Sequence, residues 1–216
     1  MLTVVSYSIY HSPNSYLGIL LAERALGELA VTVERRPICI PRARGVKVGD
    51  LVGGKEPPVQ SAYHREDCRR WAERYGIELR FPPAGVFEQR AARWASSPYA
   101  REELPARAYY AARGTGREAA LDRGLFHAAW VDGLDVNDED VVRRAAQAAG
   151  LDAGALLSGA LQDEAGRAVY EALGAFDRDG CPGVPTWIVD GERFWGKDRV
   201  QWLAETIRSK AAAESG

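Results

Sequence analysis

The fold is decided at residues 183–199, Gly183-Val184-Pro185-Thr186-Trp187-Ile188-Val189-Asp190-Gly191-Glu192-Arg193-Phe194-Trp195-Gly196-Lys197-Asp198-Arg199. Residues 185–189 read as a strand, Thr186, Ile188 and Val189 being β-branched and Trp187 aromatic, and Asp190-Gly191 is the dipeptide of a two-residue hairpin turn, because both central positions of that turn need a positive φ. Residues 193–195 return as the partner strand. Lys197-Asp198 then opens a last helix, with Val200, Leu203 and Ile207 on its inner face. The chain therefore ends as strand, strand, helix.

Its beginning is a counterpart. Residues 3–10 carry Val4, Val5, Tyr7 and Ile9 and read as a strand that stops at His11-Ser12-Pro13-Asn14-Ser15. A helix is predicted over 16–29, where Leu17, Leu20, Leu21, Leu26 and Leu29 recur near the helical period, with Asn14 or Ser15 as N-cap and Gly18 and Gly27 as weak points. A second strand spans 31–40, broken near Pro37. Residues 41–58 are rich in Gly, Pro and Lys without any period, which marks a functional flap rather than an element. A helix over 65–75 and an extended piece over 78–81 precede Pro82-Pro83. From 87 to 176 the pattern is helical, and Asn137 or Asp138 caps a helix over 141–149 that Gly150 closes. Strand, helix, strand, a helical block, then strand, strand, helix is the order of an α/β thioredoxin-like fold with an inserted all-helical domain. The expected division is 1–83 with 177–216 for the first domain and 84–176 for the insert.

Composition narrows the function. The 216 residues are 46% hydrophobic with a formal net charge of −2, and a chain of this length buries about 70% of its unfolded surface without staples. Charges of both signs are interleaved, so no nucleic-acid partner is expected. No apolar run is long enough to span a membrane and no signal-peptide pattern opens the chain, which favours the cytoplasm and no membrane partner. Cys39, Cys68 and Cys181 are odd in number and lack ligand spacing, so three reduced thiols and no metal site are expected.

The loop after the first strand feeds a helix N-terminus, which stabilises anions through its oriented N–H groups. Redox members of the fold carry Cys-Pro-x-Cys there; this chain has Ser12-Pro13-Asn14-Ser15, which removes dithiol exchange. Ser12 either caps the helix or donates a hydrogen bond to a thiolate that a cofactor brings. Pro185 is either an edge device or a cis proline facing that loop. Residues 194–199 form either a capped helix start with a packing aromatic or a corner for an anion and an ammonium group. His11 is an acid/base candidate or a packing residue, and Asn14 caps or points its amide into a pocket. The acidic run 135–140 reads as capping and solvation, and Cys181 as an inert thiol.

Four stretches carry a family resemblance over nearly the whole chain: Ser12-Pro13-Asn14-Ser15-Tyr16-Leu17; Tyr63-His64-Arg65-Glu66-Asp67-Cys68-Arg69-Arg70-Trp71-Ala72; Trp130-Val131-Asp132-Gly133; and the run from Gly183 to Thr186 with Trp195 to Arg199. In order and spacing they resemble the 2-hydroxychromene-2-carboxylate isomerase family, which stands close to the kappa-class glutathione transferases. The resemblance implies glutathione as cofactor, a small aromatic substrate and a homodimer. It implies that Ser12 holds the glutathione sulfur and that Val184, beside Pro185, pairs with the cysteinyl backbone. Trp195, Gly196, Lys197 and Asp198 would take the γ-glutamyl end, and Lys47 and Lys55 fall near family positions that meet the substrate or glutathione carboxylates; His11 and Asn14, read from the loop itself, are the further substrate-binding candidates. The chain departs from the family at Lys55-Glu56-Pro57-Pro58, where Asn and a basic residue are usual, and after Phe81-Pro82, where an aromatic is replaced by Pro83-Ala84-Gly85. The expected activity is glutathione-dependent isomerisation; conjugation by a transferase and non-catalytic thiol or peptide binding are the alternatives.

Overall fold

A computed structural model describes residues 1–40, 58–83 and 86–214. Strand β1 (Leu2–Ser8) leads into α1 (Pro13–Leu26) and β2 (Val31–Pro37), followed by α2 (Pro58–Tyr75). Six helices come next: α3 (Val86–Ser96), α4 (Glu103–Ala112), α5 (Glu118–Trp130), α6 (Glu139–Ala148), α7 (Ala153–Ala160) and α8 (Asp163–Arg178). The chain closes with β3 (Thr186–Val189), β4 (Glu192–Trp195), a 3-10 turn (Lys197–Arg199) and α9 (Val200–Glu214). The sheet order is β2-β1-β3-β4, with β1 parallel to β2 and the other two pairs antiparallel. This is the thioredoxin-like sheet, and the helices α3 to α8 enter between its two halves. Among the described residues no helix is long and apolar enough to cross a membrane.

The hairpin forms as its turn dipeptide demands: Asp190 and Gly191 have φ of 48° and 79°, and Thr186 pairs with Trp195 and Val189 with Glu192. At the other end, α1 starts three residues before the predicted onset. Pro13 occupies the first turn, where its missing N–H costs nothing, and Ser12 rather than Asn14 or Ser15 is the N-cap. Residues 78–81 are not a strand. They run beside the insert instead, the Arg80 N–H donating to Trp130 O at 2.7 Å and Glu78 O accepting from the Tyr16 hydroxyl at 2.9 Å.

Gly18, a weak point by helix propensity, is required by packing. A Cβ there would come within 2.7 Å of Trp187 Cη2 and 2.9 Å of Pro185 Cγ, so α1 lies directly on the start of β3. Gly18→Ala gains about 1 kcal/mol in helix propensity. It loses about 1–3 kcal/mol by overpacking two buried rings. The melting temperature is therefore expected to fall; a rise in a thermal scan would show that Trp187 gives way at no cost.

Candidate active site

The first strand ends in a loop whose geometry is set by a helix cap. Ser12 has an extended backbone (φ −101°, ψ 116°), its Oγ accepts from the Ser15 N–H at 3.1 Å, and its carbonyl accepts from Tyr16 at 3.0 Å. The cap uses the oxygen of the hydroxyl and not its proton. Ser15 is fully buried and its Oγ accepts from the Ile9 N–H at 3.4 Å, so it serves the loop's interior.

Three contacts gather the other candidates around this helix start. The Val184–Pro185 peptide is cis, as expected, and Pro185 abuts Gly18 of α1. The Gly196 N–H donates to Pro185 O at 2.9 Å, and a Cβ on Gly183 would lie 2.8 Å from Trp195 Nε1, so residues 183–185 and 195–196 form one corner. The Val184 N–H and C=O take no backbone partner among the described residues. Gly196 has φ of 104°, a conformation for glycine, and Asp198 Oδ1 fills the space a Cβ would need, at 2.5 Å. Trp195 is 53% exposed.

Lys197 does not offer its ammonium to solvent. It is buried, with Nζ 2.5 Å from Asp67 Oδ2 and over the Trp71 ring, and so braces the 3-10 turn against α2. Asp198 is half exposed and pairs with Arg199 at 3.0 Å. Next to Asp67, the Cys68 thiol donates to Asn14 Oδ1 at 3.5 Å, so Asn14 looks toward α2. Burial pushes the Cys68 thiol up to about 11, against the pull of Lys197. Burial likewise moves Cys39 up to about 12 and Cys181 up to about 11. None of the three is poised as a thiolate near neutral pH.

The insert reaches the same loop from the opposite side. His11 has a side chain only 4% exposed: its ring Nδ1 makes a short contact with Glu102 Oε1, and its backbone N–H donates to Glu102 Oε2 at 3.0 Å. Its ring also faces Trp94, 5.5 Å between centroids. His11 is thus held inside the insert's polar network. Asp135, expected to be solvated, is buried and accepts from Trp94 Nε1 at 3.3 Å and from the Asn137 backbone and amide. Asp138 does cap α6, accepting from the Asp140 N–H. Upstream of His11, Tyr10 is pinned by its hydroxyl to Asp122 at 2.9 Å and by its carbonyl to Trp130 Nε1 at 2.7 Å. Glu102, Asp122, Asp135 and Asp67 all stand in stretches whose sequence reads as solvated helix or turn, and nothing local singles them out. Lys47 and Lys55 lie outside the described residues.

A thioredoxin sheet with serine at the head of α1, a proline loop facing it and a helical insert closing behind defines the class. Residues 3–208 match the DSBA-like thioredoxin domain, and the chain belongs to that family. It is similar to 2-hydroxychromene-2-carboxylate isomerase of Sphingobium xenophagum, with 29% identity over 203 residues, 93% of this chain and 95% of that relative. Its fold is similar to a solved 2-hydroxychromene-2-carboxylate isomerase, with a TM-score of 0.77 and 23% identity over 99% of this chain and 98% of the other. It is also similar to the cytosolic disulfide reductase DsbM of Pseudomonas aeruginosa, with a TM-score of 0.64 and 18% identity over 99% and 98% of the two chains.

Proposed function

We propose that this chain is a glutathione-dependent isomerase acting on a hydroxychromene carboxylate or a closely similar aromatic-pathway compound. The observation that carries the proposal is Ser12: a hydroxyl at the N-terminus of a 14-residue helix, its oxygen spent on the cap and its proton left to donate, where a redox member of the fold needs sulfur. The isomerase of Sphingobium xenophagum supports the choice of reaction. A disulfide reductase needs a reactive cysteine in this loop, and this chain has Ser12 and Ser15 there.

The donor set suits a small peptide thiol. The Val184 N–H and C=O, without a backbone partner among the described residues, match a peptide backbone, and the Gly196 cradle with half-exposed Asp198 matches an α-amino and α-carboxyl end. Lys197 contributes by fixing this corner through Asp67. When bound, glutathione supplies a nucleophilic thiolate for reversible addition to a conjugated substrate. Ser12 and the α1 N–H groups favour that charged form over the thiol. Lys47 and Lys55 are assigned to the substrate carboxylate, and two chains are taken to form the working unit.

The test is calorimetry with glutathione followed by absorbance assay with 2-hydroxychromene-2-carboxylate. Glutathione binding with turnover is expected; absence of both sinks the proposal. Asp198→Ala should weaken glutathione binding by about 1.5 kcal/mol, the lower end for a hydrogen bond to a charged group, because Asp198 is half exposed. Unchanged affinity would place the γ-glutamyl end elsewhere.

A further inference from the structure

We propose that Glu102 is a positioning residue for the Ser12 loop, so that the helical insert sets the geometry in which Ser12 meets its anion. The inference rests on the reading of Ser12 given above and extends it to a residue 90 positions away that touches neither Ser12 nor any ligand.

Glu102 is completely buried, and each of its oxygens meets His11: Oε2 accepts from the backbone N–H at 3.0 Å and Oε1 contacts the ring, with Arg101 Nε also 3.4 Å from Oε1. Burial alone raises its carboxyl, but the charge and hydrogen bond of His11, the Arg101 guanidinium at 3.4 Å and the His11 N–H outweigh it and hold the group below the ordinary range. An ionised carboxylate only accepts, so the proton of the short contact sits on Nδ1. The other ring nitrogen, Nε2, is buried without a hydrogen-bond partner among the described residues, 3.8 Å from Asp135 Oδ1. The carboxylate is itself placed: Glu102 stands at φ 70°, unusual for a non-glycine residue, and its own N–H donates to Asn137 Oδ1 at 2.8 Å. Asn137 is in turn bonded to Asp135, which takes Trp94.

His11 is the residue immediately before Ser12, so the bond to its N–H fixes the Tyr10–His11 peptide plane and the ring contact fixes its side chain, one residue ahead of the Ser12 cap. The Ser12 cap fixes the other side through Ser15. An alignment error of about 1 Å at a reacting centre costs as much as a hundredfold in rate. A carboxylate that grips one loop residue twice is a means of preventing that error. A carboxylate serving only to neutralise His11 has no need of the backbone N–H.

The experiment compares wild type, Glu102→Gln and Glu102→Ala by three readouts. The first is amide exchange of residues 9–16 in the ligand-free chain. The second is the pH at which the thiol of bound glutathione ionises, followed by thiolate absorbance. The third is kcat against KM. Glu102→Ala should speed exchange at His11 and Ser12 about tenfold or more, raise the ionisation pH by about one unit and lower kcat about tenfold with KM little changed. Glu102→Gln keeps an oxygen for the His11 N–H and should fall between the two; it carries the test alone if Glu102→Ala does not fold. Variants that lose only melting temperature, with wild-type exchange, ionisation and kcat, overturn the positioning role and leave the glutathione reading intact. A wild type that takes up no glutathione overturns both.

Discussion

Asp122→Leu is expected to cost the fold about 3–5 kcal/mol, the range for removing one partner of a buried ion pair. Asp122 has a side chain 6% exposed and sits on α5, in the insert. Its Oδ2 is 3.0 Å from Arg35 Nη2 on β2, and its Oδ1 takes the hydroxyl of fully buried Tyr10. Leucine at this position fills the volume and satisfies neither group. It leaves a guanidinium whose side chain is 14% exposed, and whose Nε already lacks a hydrogen-bond partner among the described residues, without its counter-charge. The fully buried Tyr10 hydroxyl loses the acceptor it has in Asp122. Chemical denaturation of the single variant measures the loss. The double variant Asp122→Leu with Arg35→Met should recover more than half of it, since no buried charge is then left unpaired. A single-variant loss below about 1 kcal/mol would mean that Arg35 turns out to solvent and that the pair is a surface one.

Such pairs also mark where the sequence stops being informative. Strands β1 and β3, the hairpin and α9 are readable because their signals are local: alternation of period two, a turn dipeptide, a helical stripe. Ser12 and Pro185 are readable for the same reason, each standing at an element boundary whose chemistry is written in its neighbours. The start of α1 was displaced because its apolar stripe begins at Leu17, while the helix is set by Pro13 and the Ser12 cap. Residues 78–81 look like a strand by composition, yet strand formation needs an edge to pair with, and that is a property of the whole sheet. Glu102, Asp122 and Asp135 were beyond reach for a stronger reason. A carboxylate on an insert helix or turn looks solvated until the element across from it supplies a guanidinium, an imidazole or an indole, and those partners come from 41 to 124 positions away. Lys197 shows the converse. Its place beside Asp198 suggested a cation for a ligand, but Asp67, 130 positions earlier, claims it.

Ser12→Ala should lower turnover near neutral pH about tenfold or more while the glutathione Kd moves little. The hydroxyl would distinguish the two forms of a bound thiol. A hydrogen bond donated to sulfur is weak for the thiol and strong for the thiolate, so its loss destabilises the charged form selectively and raises the pH at which the bound thiol ionises. In the proposed reading the affinity for the whole tripeptide would rest on the Val184 backbone and the Gly196–Asp198 corner, which the substitution does not touch. Alanine also removes the oxygen that accepts from Ser15, and loss of an N-cap costs about 1 kcal/mol of stability, too little to unfold a domain of this size but visible in a melt. The stability loss and the catalytic loss therefore separate by pH. The melting temperature falls at every pH, whereas the rate deficit shrinks as pH rises past the mutant's higher ionisation point, where thiolate is present in either protein. Thiolate absorbance titrated across pH in wild type and mutant, with kcat measured at each point, reads both effects. Coincident titrations and equal kcat would leave Ser12 as a helix cap and nothing more.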